Sequence, residues 1–309
     1  MAPIIEVRNL HKQYGGTIAV DDVSLSVEAG EIFGILGPNG AGKTTTVECI
    51  EGLRAADGGS IRVLGLDPRR ERAELTQRLG VQLQESQLPD RMRVGEALEL
   101  FSTFYRRPAG WRALLETLGL ADKAKTGYAK LSGGQKQRLS IALAMVGDPE
   151  VLVLDELTTG LDPQARRDTW GLIEQVRARG VTILLVTHFM EEAERLCDRL
   201  ALIDKGRVVA VDTPAGLATR AQAGQRIRFR PDGPLDDALL AGLLAGLPDV
   251  TSVVRQGDQV VVTGNDNALS AVTSALARHR IVARQLRVEQ ASLEDAFVSL
   301  TNRTDKDSQ

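Results

Sequence analysis

Short apolar runs punctuate the first two thirds of the chain. Residues 32–36, 151–154 and 183–186 carry no charged or amide side chain. That pattern belongs to strands covered on both faces of a parallel sheet, not to strands with one wet face. The first run ends in a glycine-rich turn and is followed by a helical stretch from Lys43. Residues 4–220 alternate strand and helix in this way, predicting an α/β core. Between about 86 and 148 the spacing changes: Val94, Ala97, Leu98 and Phe101 recur at helical intervals, predicting a helical insertion carried by that core. Past Arg220 the texture shifts again. Residues 226–229, 250–255, 259–263 and 281–288 read as strands, and 235–244 and 268–278 as helices. The order β-α-β-β-α-β predicts a small α+β, ferredoxin-like domain over 221–302, with Gly257-Asp258 as its central hairpin turn. The polar tail, 303–309, is expected to be disordered.

Composition narrows the classes. The 309 residues are 43% hydrophobic and 26% charged, and 38 basic against 41 acidic side chains leave a net charge of −3. No global basic field recruits nucleic acid, so none is expected as a partner. No apolar run approaches the ~20 residues that span a bilayer, so any action at a membrane passes through a partner. Residues 1–9 include Glu6 and Arg8 and lack the apolar centre of a signal peptide. Cys49 and Cys197 show no metal-ligand spacing; both are expected to be small core side chains in a reducing compartment.

The candidate chemistry starts at Gly37-Pro38-Asn39-Gly40-Ala41-Gly42-Lys43-Thr44, which fits G-x-x-x-x-G-K-[ST] between an apolar strand and a helix. Such glycines let backbone N–H groups turn inward and cradle phosphate oxygens at a helix N-terminus. Lys43 is placed to neutralise β- and γ-phosphate charge, and Thr44 to offer its hydroxyl to Mg²⁺. The run 151–154 then delivers Asp155 and Glu156 to a sheet edge. Asp155 is the candidate for holding Mg²⁺ through water, and Glu156 for the base that polarises an attacking water. An apolar strand ending in two acids is weak alone; beside a phosphate loop it is specific.

At Leu131-Ser132-Gly133-Gly134-Gln135 the chain resembles the ATP-binding-cassette proteins, and the likeness covers residues 4 to about 220. As a bare pentapeptide this run is also a helix start capped by Ser132. The resemblance implies a P-loop ATPase cassette with a helical subdomain, using ATP and Mg²⁺. It implies that Tyr14 stacks on adenine, although a strand-edge tyrosine is the plainer alternative. It places Thr45 with the phosphate loop among the ATP-binding residues. Gln84 matches the glutamine that reaches Mg²⁺ and the water, with Gln82 as a rival by local pattern. His188 matches the histidine that contacts the γ-phosphate. Asp162 matches the loop crossing a dimer interface, where Ser132, Gly133 and Gly134 cover ATP bound to a second copy. His11 and His279 have no such match and read as surface residues. One departure stands out: the family usually has proline after the glutamate, and this chain has Leu157. Altered local stability and retained hydrolysis are expected.

Residues 47–53, 62–68 and 292–297 are similar to the multidrug and daunorubicin-resistance type of exporter cassettes. This implies a subunit held at the cytoplasmic face of the membrane by a separate membrane-spanning permease, working as a pair of copies. The competing class, soluble cassettes on ribosomes or DNA, carries either two cassettes per chain or a long coiled coil between phosphate loop and signature. The interval from Thr44 to Leu131 has no room for the latter.

Overall fold

The computed structural model describes residues 2–82, 88–220, 225–232, 237–265, 267–289, 293–294 and 296–298. The chain divides into two compact units, Met1–Pro214 and Ala215–Gln309.

The first unit opens with two long strands, β1 (Ile5–Tyr14) and β2 (Thr17–Val27). The buried strand β3 (Ile32–Leu36) follows, then helix α1 (Lys43–Ile50), β4 (Gly58–Val63), the short helix α2 (Arg72–Leu75) and β5 (Leu79–Gln82). Helices α3 (Val94–Ser102), α4 (Trp111–Thr117) and α5 (Gly133–Met145) come next. Strand β6 (Val151–Asp155), helix α6 (Pro163–Ala178), strand β7 (Thr182–Thr187) and helix α7 (Met190–Leu196) lead to the hairpin β8 (Arg199–Asp204) and β9 (Arg207–Asp212). Helix α8 (Pro214–Arg220) follows, all but its first residue belonging to the second unit.

A six-stranded sheet runs in the order β5-β6-β7-β3-β8-β9. Its pairings are parallel except at the β8–β9 edge. Every residue of β3, β6 and β7 is buried, as an all-apolar strand covered on both faces requires. Strands β2-β1-β4 form a separate antiparallel sheet, which the strand–helix alternation of the sequence does not announce. These strands bury only part of their side chains, the signature of a sheet with one solvated face. Ile5, Val7, Leu10, Val20 and Val23 nevertheless share a core with Phe33 and Ile35 of β3 and Val47 of α1. Ala41 of the glycine-rich loop joins that core. Helices α3, α4 and α5 pack on one another, with Leu98, Leu114, Leu115 and Leu139 buried.

The second unit comprises β10 (Gln225–Pro231), α9 (Asp237–Leu244), β11 (Val250–Gln256), β12 (Gln259–Gly264), α10 (Ala268–Arg278) and β13 (Ala283–Glu289). Its antiparallel sheet has the order β11-β12-β10-β13, the ferredoxin-like arrangement. Gln256 pairs with Gln259, and Gly257 turns the hairpin at φ +64°. Ile227, Phe229, Leu240, Leu244, Val260, Val262, Val272 and Leu276 form this unit's own core. The tail, 303–309, lies outside the described residues.

Candidate nucleotide site

Strands β6, β7 and β3 are adjacent and parallel, so their C-terminal ends open at one edge, where open α/β sheets hold ligands. Strand β3 leads into the glycine-rich loop and α1. Close approaches dictate that loop's sequence. A Cβ on Gly37 would lie 2.1 Å from the carbonyl oxygen of Ile203. One on Gly42, at φ +96°, would lie 2.3 Å from that of Ala19, so neither place admits a side chain. Lys43 is buried, and its Nζ donates to the carbonyl oxygens of Gly37 at 2.9 Å and Pro38 at 3.0 Å. Burial lowers its pKa, opposed by the charges of Glu156 and Asp155.

A cavity of about 500 Å³ opens over this loop. Asn39, Gly40, Gly42, Lys43, Thr44 and Thr45 form its floor, with Tyr14, Ala19 and Glu156 around it. Gly37, Pro38 and Ala41 shape the loop without lining that cavity. Tyr14 ends β1 and is 39% exposed, which leaves ring surface for stacking. The charged ends of Lys12 and Arg54 lie 5.3 and 5.4 Å from its ring centre. Ala19 carries no signal in the sequence; only the fold brings β2 against Gly42 and so into the cavity wall.

Asp155 ends β6 and is buried. Burial, and secondly the neighbouring Glu156, push its pKa up to about 6. Its Oδ1 is buried without a hydrogen-bond partner among the described residues. With the Thr44 hydroxyl this is a hard-oxygen donor set suited to Mg²⁺. Among the described residues no cluster of three or more His, Cys, Asp or Glu forms a metal cage, and Mg²⁺ in nucleotide sites relies on one or two carboxylates plus phosphates. The residues therefore fit the ion as a partner of bound nucleotide. The Asp155 amide donates to Gln82 Oε1 at 3.2 Å, so the buried Gln82 ties β5 to β6. Gln84 lies outside the described residues.

Glu156 follows at φ +47°, a left-handed conformation costing roughly 1–2 kcal/mol for a residue with a Cβ. Its N–H donates to the Val186 carbonyl at 2.9 Å. Its Oε1 accepts from His188 Nδ1 at 3.1 Å. The acid from β6 and the histidine after β7 thus form a pair, 32 residues apart in sequence. Glu51, the C-cap of α1, is a buried carboxyl that motif reading passes over. Burial, and then Asp155 and Glu48, raise its pKa to about 8.

Ser132 and Asp162 lie elsewhere and do not line this cavity. Ser132 caps α5: its Oγ accepts from Gln135 N at 3.3 Å while Gln135 Oε1 accepts from Ser132 N at 3.0 Å. Asp162 caps α6, accepting from Gln164 N and Ala165 N at 3.0 and 2.9 Å. The two caps are near each other: a Cβ on Gly134 would touch Ala165 Cβ at 3.4 Å, and one on Gly133 would lie 3.8 Å from Leu161 Cδ2.

Residues 20–159 match the family model described as ABC transporter. The Nod factor export ATP-binding protein I of Ralstonia nicotianae is 38% identical over 99% of this chain and 96% of its own length. The chain belongs to the ABC transporter family. The linearmycin resistance ATP-binding protein of Bacillus subtilis is 36% identical over 98% of this chain and 100% of its own. Among solved structures, an ATP-binding subunit of an ABC transporter aligns with a TM-score of 0.64 at 28% identity, covering 70% of this chain and 92% of that one. An ADP-bound ABC cassette aligns at 0.62 and 29% identity, covering 69% and 92%. This ABC protein is an ATP-binding, ATP-hydrolysing cassette followed in sequence by a further compact unit.

Proposed function

We propose that the chain is the motor of an exporter, hydrolysing Mg-ATP as a head-to-tail pair of copies docked on a separate permease at the cytoplasmic face of the membrane. The observation that carries the hydrolytic reading is the Glu156–His188 pair at the rim of a cavity floored by Lys43, Thr44 and Thr45. In this reading Tyr14 stacks on adenine. Backbone N–H groups of Asn39, Gly40, Ala41 and Gly42, with Lys43, hold the phosphates at the start of α1, where Gly37 and Pro38 shape the loop. Glu156 accepts a proton from the attacking water. His188 holds that carboxylate through Nδ1, which leaves Nε2 as the ring atom for a γ-phosphate oxygen. Thr44 and Asp155 hold Mg²⁺, joined by Gln84, and the ion supplies charge neutralisation on the phosphates.

Ser132, Gly133, Gly134 and Asp162 do not line their own chain's cavity, which supports a role over ATP bound to a second copy. There the N-terminus of α5 offers N–H groups to a triphosphate. Export is supported by the relatives, named for Nod factor export and linearmycin resistance. A permease partner is supported because no helix among the described residues is long and apolar enough to cross a membrane. Leu100 and Phe104 on the helical insertion are exposed, apolar surface suited to such a partner.

The test compares the purified protein with Glu156→Gln for ATP turnover, following mass with and without Mg-ATP. Turnover in the parent, its loss in the variant, and an ATP-dependent dimer trapped by the variant are the expected results. Undiminished turnover in Glu156→Gln would remove Glu156 from the chemistry. An ATP-loaded monomer, both alone and with a co-expressed permease, would remove the shared-nucleotide arrangement.

A further inference from the structure

Helix α6 starts at the Asp162 cap, and α7 starts two residues after His188. The contact between them is polar and buried. Trp170 Nε1–H donates to Glu192 Oε1 at 3.1 Å, with Trp170 4% and Glu192 0% exposed. The second oxygen, Glu192 Oε2, is buried with no hydrogen-bond partner among the described residues. Arg166 Nε, one turn earlier on α6, is in the same condition. The Arg166 guanidinium lies over the Phe189 ring at 4.7 Å, and the Phe189 ring lies 4.1 Å from that of His188. A buried carboxylate with one neutral donor is a poor source of stability; apolar side chains of similar volume would pack there without the desolvation cost. What the polar contact does supply is a fixed geometry between two helices, one running from the Asp162 turn and the other from His188.

We propose that Trp170, Glu192 and Arg166 are positioning residues for His188. Trp170 and Glu192 lock the first turn of α7 to α6, and Arg166 holds Phe189 from the same helix. The imidazole that meets Glu156 therefore takes its place from α6. A displacement of the Asp162 turn is passed along α6 to His188 without passing through the nucleotide. The consequence for hydrolysis rests on the reading of His188 as part of the hydrolytic site; the positional claim does not.

The 309 residues include three histidines, at 11, 188 and 279, so the ring resonances of histidine-labelled protein can be assigned with His188→Gln. The test variants are Trp170→Phe, which removes only the indole donor, and Glu192→Gln, which keeps the shape and removes the charge. In nucleotide-free protein each is expected to shift the His188 ring resonances while leaving those of His11 and His279 in place. Turnover is expected to fall about tenfold or more, with the KM for ATP little changed. In the double variant the two effects are expected to fall short of adding, because Trp170 and Glu192 meet in one contact. His188 resonances unmoved in both variants, whatever happens to melting temperature or turnover, would overturn the proposal. Shifted His188 resonances with full turnover would uphold the positioning and instead remove His188 from the hydrolytic machinery.

Discussion

Three carboxyl groups near α1 live in different electrostatic circumstances. Glu156 is paired with His188. Asp155 is raised to about 6 by burial and by Glu156, and Glu51 to about 8 by burial and then by Asp155. In the unfolded chain Glu51 ionises near 4.5. The folded state therefore binds more protons between about 4.5 and 8, and its stability declines as pH rises across that window. Glu51→Gln cannot ionise, so its urea midpoint is expected to fall less than the parent's between pH 5 and 8. The divergence should reach up to a few kcal/mol; parallel curves would show that Glu51 is already ionised in the fold. Tyr14 gives a second prediction. Base–aromatic stacking is worth about 1–3 kcal/mol, so Tyr14→Ala is expected to raise the KM for ATP about tenfold with little change in turnover number. An unchanged KM would leave Tyr14 as a strand-edge tyrosine. Leu157, where the family usually has proline, is fully buried, so at this position apolar packing replaces a stiff turn.

Among the elements, the start of α5 at Ser132 was legible in the sequence, because a cap is a contact between residues two or three apart, whereas the Asp162 cap of α6 came from the structure. The Ser132 cap with Gln135 at the third helical position, and Asp162 followed by Pro163, are local arrangements that backbone donors at a helix start demand. Ser132→Ala is expected to cost about 1 kcal/mol in chemical denaturation. Asp162→Ala should cost at least as much, since one carboxylate oxygen serves two N–H groups. Asp162→Asn separates capping from any part in a dimer. Asparagine caps as well as aspartate, so stability should hold; if the proposed interface needs the charge, the ATP-dependent dimer weakens. Retained dimer with retained stability would confine Asp162 to capping. The buried strands were legible as strands for the same local reason, but β1, β2 and β4 were not legible as a second sheet. Alternation along a strand states which face is buried, not which strand is its neighbour.

For the whole molecule, each unit has its own apolar cluster: Phe33, Ile35 and Val47 belong to one, Phe229, Leu240 and Val262 to the other. Ligand and core substitutions should therefore mark different calorimetric transitions. ADP at a hundred times its Kd adds about 2.7 kcal/mol to whatever binds it, and is expected to move only the transition of Met1–Pro214. Phe229→Ala, losing about 3–5 kcal/mol of core packing, is expected to move the other. A single transition shifted by both would mean that the units unfold as one. By itself the sequence determined the phosphate loop, the acid pair at the end of β6, the Ser132 cap and the β-α-β-β-α-β order of the second unit. All of these are dictated by backbone geometry or burial within a few residues. Tertiary structure alone decided that Glu156 meets His188, that Gln82 is taken up by the Asp155 amide, that Ala19 walls the cavity and that Glu51 is buried near Asp155. These contacts exist because β5, β6, β7 and β3 are successive neighbours in the sheet, and because β2 crosses the loop at Gly42. Periodicity along a chain records which side chains are hidden from water; it holds no record of which distant strand does the hiding.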